Sequence, residues 1–98
     1  MAESQEMAES KKRAEWSLSH GQRFPFDASD EWWRGSGDTP PPPSSDWAHA
    51  AARGVLADLK DRRTIKHSFD DIDEDVRAEI VQSLAEIIRA AAGGDTEQ

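Results

Sequence analysis

The segment SFDDIDEDVRAEIVQSLAEIIRAAAGG, residues 68–94, constrains this chain more than any other. Val76, Ile80, Val81, Leu84, Ile87, Ile88 and Ala91 recur at steps of three and four, and Asp75, Glu79, Gln82, Glu86 and Arg89 take the opposite side. That period fits an amphipathic α-helix and not a strand. Acids crowd its start, where they suit the positive end of the helix dipole, and Asp71 with Glu74 has the spacing of a capping box. Gly93-Gly94 supplies the stop.

A second helical pattern precedes it. After Ser45 or Asp46, either of which can cap, Trp47, Ala48, Ala51, Ala52, Val55, Leu56 and Leu59 share one side, with His49, Arg53 and Lys60 on the other. Its last turn is basic, with Lys60, Arg62 and Arg63. Helices over 46–61 and 73–92 are expected to pack antiparallel through Val55, Leu59, Ile80, Leu84 and Ile87, the basic end of one beside the acidic start of the other. A helix pair of about 50 residues rarely stands alone, so its wide apolar arc needs further cover. The expected fold is mostly α: an antiparallel helix pair with an aromatic, partly irregular N-terminal arm. The expected divisions are a flexible tail over 1–13, the aromatic arm over 14–39, a Pro-rich spacer over 40–45, the helical hairpin over 46–92 and a flexible tail over 93–98.

Within the arm, Trp16 and Leu18 alternate, as do Phe24 and Phe26, around a possible turn at residues 19–22. A small hairpin is conceivable there, although Pro25 restricts it to an edge. Asp27 is placed to cap a short turn carrying Trp32 and Trp33. Pro40 to Pro43 read as a stiff spacer.

Composition removes several chemistries. The 98 residues contain no cysteine, so disulfides and thiolate ligands are out. The start, MAESQEMAESKKR, has no apolar run of the kind a secretory leader carries. No stretch is apolar enough to span a bilayer, and a cytoplasmic location is expected. Net charge is −8. It divides as −3 over residues 1–39 (8 acids, 5 bases), +2 over 44–67 (3 acids, 5 bases) and −7 over 68–98 (9 acids, 2 bases). Such a chain is poorly suited to gripping DNA, and any partner drawn by its field is basic.

The acids at 71, 73 and 75 suggest an EF-hand loop, but the glycine and glutamate that loop requires are replaced by Val76 and Gln82. His20, His49 and His67 lack the spacing of a zinc site. His67, Ser68 and Asp70 are too close in sequence to act as a triad, and there is no nucleophile elbow or phosphate loop. No cofactor, metal or catalytic residue is expected, and the chain is read as a non-enzyme. Two features resist a purely structural account. Four tryptophans are present, and Trp32 and Trp33 sit in a glycine-flanked polar stretch, as binding hot spots often do. Arg77 falls within the apolar arc, where it could snorkel, pair with Asp58 or meet a partner. Trp32, Trp33, Arg77, Asp75, Glu79 and Glu86 are therefore the candidate partner-binding residues, and Val81 and Ile88 the candidate seam of a homodimer.

The stretch ARGVLADLKDRRTIKHSFDDIDEDVRAEIVQSLAEIIRAA, within residues 47–92, resembles short helical proteins of proteobacteria and of their phages and prophages. That resemblance implies no established activity and carries over no site residue. Small acidic phage proteins are often inhibitors of host defence, anti-CRISPR proteins among them, and the resemblance implies that setting by class alone. The expected function is a small acidic protein-binding module, in that setting an inhibitor. The alternatives are a self-associating structural protein and, further off, a weak nucleic-acid binder.

Overall fold

The computed structural model describes residues 2–35, 39–62 and 65–93. The protein is mostly helical, and the described residues form no strand. Four α-helices follow in order: α1 (Ala2–Arg23), α2 (Asp30–Arg34), α3 (Trp47–Asp61) and α4 (Glu74–Gly93), with a 3-10 turn at Lys66–Phe69. Arg63, Gly94 and the tail that follows lie outside the described residues, as do Ser36 and Gly37.

Helix α3 is central. Asp46 caps it, its side chain accepting from the His49 N–H at 2.9 Å. Ala48, Ala52 and Leu56 on one side form the core with Val81 and Ala85 of α4, and Leu59, Ile80, Leu84 and Ile88 pack around them. The helices run antiparallel: Asp46 at the start of α3 takes a two-pronged ion pair from Arg89 near the end of α4. The expected hairpin is present, but its seam is built of smaller residues. Val55 and Ile87, expected at the contact, are 43% and 62% exposed. The alanines let the axes approach closely, so the larger residues flank the contact.

The opposite side of α3 carries α1, also antiparallel. Arg13 pairs with Asp58 at 2.6 Å and Asp61 at 3.2 Å, and Gly21 lies against Arg53. A Cβ on Gly21 would sit 2.6 Å from the Arg53 carbonyl oxygen, and one on Gly54 would sit 3.1 Å from the Leu18 Cα. Only glycine permits backbones to meet this closely without a shift. Thus α1 and α4 both lean on α3, and no comparable contact joins α1 to α4 among the described residues.

Residues 2–23 form one helix, so the boundary expected at residue 13 falls inside an element and no hairpin forms around residues 19–22. Trp16, His20 and Phe24 are spaced by four along one side; Trp16 stacks on His20 at a centroid separation of 4.6 Å, and Phe24 meets His20 tilted at 4.9 Å. The period of four that they share was masked by the alternation of Trp16 with Leu18. No helix among the described residues is long and apolar enough to cross a membrane.

Candidate functional site

Residues 24–35 and 39–46 lie over one side of the helices, and two buried arginines hold them there. Arg53, 2% exposed, donates from Nε to Asp27 Oδ1 at 2.8 Å and from Nη1 to the Pro42 carbonyl at 2.9 Å. Arg77 on α4 donates to the carbonyls of Phe26 (3.0 Å), Ile72 (2.7 Å) and Ala28 (2.9 Å), and to Asp30 Oδ1 (2.9 Å). A guanidinium suits this task because its planar fork presents five donors in fixed directions. Arg77 is therefore a clamp on the arm, spent internally. Its partner is Asp30 and not Asp58, which binds Arg13 and Arg62 instead.

Asp27 does not cap the turn before the tryptophans. Ser29 does, accepting from the Trp32 N–H at 3.1 Å. Asp27 instead accepts from Arg53 and from His49 Nε2, the latter at 2.9 Å. Burial works against the Asp27 charge, but the bonds from Arg53 and His49 outweigh it and hold its pKa below the ordinary carboxylate value. The Ser45 N–H donates to His49 Nδ1 at 2.9 Å, which places the ring proton on Nε2, facing Asp27. Both nitrogens are thus engaged, and this Asp–His pair has none left to take a proton from a substrate. The exposed His67–Asp70 pair on the 3-10 turn is a local contact at 3.2 Å. Among the described residues no group of three or more His, Asp or Glu converges as a metal site would require.

The two candidate tryptophans belong to the arm. Trp32 shares its indole N–H between the carbonyls of Thr39 (3.3 Å) and Pro40 (3.2 Å). Trp33 meets Trp32 edge-on and stacks on Phe24. The Lys60 ammonium lies over both Phe26 and Trp33, 5.5 and 5.7 Å from the ring centres, and burial pushes its pKa down. Val81, 1% exposed, is core in the single chain and cannot form a seam, and Ile88 is half-buried against the same core. On α4, Asp75, Glu79 and Glu86 are exposed. Asp75 bonds the Val76 N–H, Glu86 pairs with Arg89, and Glu79 has no partner among the described residues.

Among the described residues, the opposite side of the helices has no such cover. His49 and Arg53 of α3 face the arm; Ala51 and Val55, each two residues on, lie about 200° round the helix. On α4, Ala78 and Gln82 line a recess with Asp27, Ser45 and Asp46, so Ile80 and Leu84 fall on the far side by the same step. On α1, Trp16 and His20 line the arm-side cleft with Trp33, which sends Leu18 to the far side. The three helices therefore share one bare face bearing Leu18, Ala51, Val55, Ile80, Leu84 and Ile87. Between α1 and α3 it deepens into an open trough of about 840 Å³, lined by Ala14, Leu18, Ala51, Gly54 and Val55 and, toward the end of α3, by the charged side chains of Glu9, Arg13, Asp58 and Arg62. Leu18 is 46% exposed, and Trp47 at the start of α3, at 60%, is far more open than the paired tryptophans of the arm.

This face is the candidate site. The sequence called for further cover over the wide apolar arc of α4 but assigned Val55 and Ile87 to the helix contact, which Ala48, Ala52, Leu56, Val81 and Ala85 form instead. No protein-family model, curated protein or solved structure matches the chain.

Proposed function

We propose that this chain is a small acidic, non-catalytic protein-binding module that works through the bare face of α1, α3 and α4. The observation that carries this reading is the apolar face itself. Leu18, Val55 and Ile87 stand about half exposed beside one another's helices while the arm covers only the other side. Contiguous apolar surface larger than a few hundred Å² is the usual mark of an interaction site. The net charge of −8 selects a partner with a basic surface. The resemblance of residues 47–92 to phage proteins suggests the setting, an inhibitor that occupies a basic surface of a host protein.

The test is capture from an extract of the source cells on the immobilised chain, compared with a Leu18→Asp/Val55→Asp variant and an Arg34→Ala control on the arm. A species retained by the wild type and the control, and lost by the variant, is the expected result. Equal retention by all three would refute the assignment of this face.

A further inference from the structure

The cleft on the arm side, away from the bare face, has a chemistry of its own. Trp16 and His20 of α1 form one wall, their rings 4.6 Å apart and 15° from parallel. Phe24 continues that wall and lies 21° from parallel to Trp33 of α2, the ring centres 6.5 Å apart. These rings are not packed shut, since Trp16 is 40% and Phe24 46% exposed. They border a recess of about 350 Å³, and Ala57, which also lines it, adds little bulk. That volume is at the small end of the roughly 300–1,000 Å³ common for small-molecule sites.

One base enters the cleft. The half-buried Lys60 holds its ammonium over Phe26 and Trp33 and makes no hydrogen bond or ion pair among the described residues. Ring faces meet its charge, but they supply no lone pair to its three donors. Burial pushes its pKa down, as expected of an ammonium short of partners. The nearby carboxylates are engaged elsewhere. Asp61, which also lines the cleft, pairs with Arg13. Asp70 and Asp30, in a smaller recess beside Lys60, pair with His67 and Arg77. Around His20, the charges of Arg23 and Lys60 stand against Asp61 alone, and Asp61 is shared with Arg13. The cleft is therefore locally cationic in a chain of net charge −8.

We propose that this cleft binds a small planar aromatic acid, its ring against Trp16, Phe24 and Trp33 and its carboxylate on the Lys60 ammonium. An aromatic cage that lacks a cation of its own recruits one. Here the cation is built in, so a second is repelled and the ligand brings the negative group. A carboxylate gives Lys60 the charge-assisted acceptor it lacks. The flat walls favour a planar ring over a puckered one, because π-systems gain from offset and edge contacts beyond the area they bury. The volume limits the ligand to one or two fused rings. The site is separate from the bare face, to which α1 turns Leu18 and not Trp16 or His20.

The test titrates the full, nitrogen-labelled chain with four compounds of similar size, followed by proton–nitrogen NMR. The compounds are naphthoate, naphthamide, naphthylmethylammonium and the saturated decalin carboxylate. Naphthoate is expected to saturate with a Kd of about 1 mM or tighter. It should bind at least about fivefold more tightly than the amide or the decalin acid, and the ammonium compound should bind weakest. Shifts should concentrate at Trp16, His20, Trp33 and Lys60. Lys60→Met keeps the aliphatic stem and should reduce naphthoate to the affinity of the amide, leaving the amide unchanged. Trp16→Ala, at the exposed rim, should weaken both about fivefold. The compound series is read on the wild-type chain, so it decides the matter even if a variant unfolds. Equal binding of the amide, or an unaltered Kd in a folded Lys60→Met, would remove Lys60 as the anchor and overturn the proposal. Equal binding of the decalin acid would remove the rings. Tightest binding by the ammonium compound would make the cleft a cation site. Absence of saturation by about 10 mM, or shifts centred on Trp47 and Val55, would also overturn it.

Discussion

Replacing Arg77 with methionine tests the clamp that holds the arm. The substitution keeps most of the aliphatic volume and removes four hydrogen bonds. The bond to Asp30 counts for little, because that carboxylate is more than half exposed. The carbonyls matter more. Phe26 and Ala28 are each 3% exposed, so water replaces the lost donors poorly. At about 1–3 kcal/mol for each carbonyl left unpaired, the two cost roughly 2–6 kcal/mol. Ile72 is half-buried, and its carbonyl can recover a water. Relief from holding a buried guanidinium returns part of this. A net loss of about 3 kcal/mol is expected, a large share of the roughly 5–15 kcal/mol typical of a domain. It corresponds to a fall in Tm of about 12–24 °C at this chain length. Urea unfolding followed by far-UV circular dichroism gives the energy, and tryptophan emission reports the arm. Arg77→Lys retains the charge but not the fork and should recover less than half of the loss. A Met variant within about 0.5 kcal/mol of wild type would show that the arm does not depend on these bonds.

Two further outcomes follow from the packing and the charge. Gly21→Ala should destabilise by about 1–2 kcal/mol in the same urea assay, because the 2.6 Å approach to the Arg53 carbonyl outweighs the roughly 1 kcal/mol that alanine gains in a helix; a more stable variant would mean that α1 does not meet α3 there. Stability should decline on acidification. The Asp27 pKa is lower in the folded chain than in the unfolded one, so its contribution is full above the unfolded value of about 3.9 and is lost as pH falls through the folded value. In Asp27→Asn the acid loss between about pH 5 and pH 2 should be shallower, as read from urea midpoints, and an unchanged slope would contradict the ion pair.

The legible part of the fold was the part whose buried side is apolar at a helical period. Helices α3 and α4 satisfy that, and their limits fall within one or two residues of expectation. Helix α1 does not: its contact with α3 uses Ser17 and Gly21, which carry no hydrophobic signal, while Leu18 meets Gly54 and stays about half exposed. Arg77 was conspicuous because it interrupts an apolar arc, yet sequence could not reveal that its partners are backbone carbonyls some fifty residues earlier. Arg53 gave no sign at all, since a base on the polar side of a helix ordinarily meets water. The acidic side of α4 was readable from its spacing. The bare face was not, because it depends on which of several equally apolar residues win the contact between α3 and α4.

The central position of α3 sets an order of opening. Helices α1 and α4 each rest on α3, so either can detach while the other stays in place. Helix α3 cannot detach without releasing both, together with the arm that Arg53 ties to it. Its middle amides, around Ala52 to Leu56, belong to the last unit to exchange with deuterium. Beyond Arg13, the first turns of α1 have no long-range bond among the described residues, and they exchange earliest. A partner seated in the trough would touch both extremes at once, and the protection it confers on α1 would measure its grip.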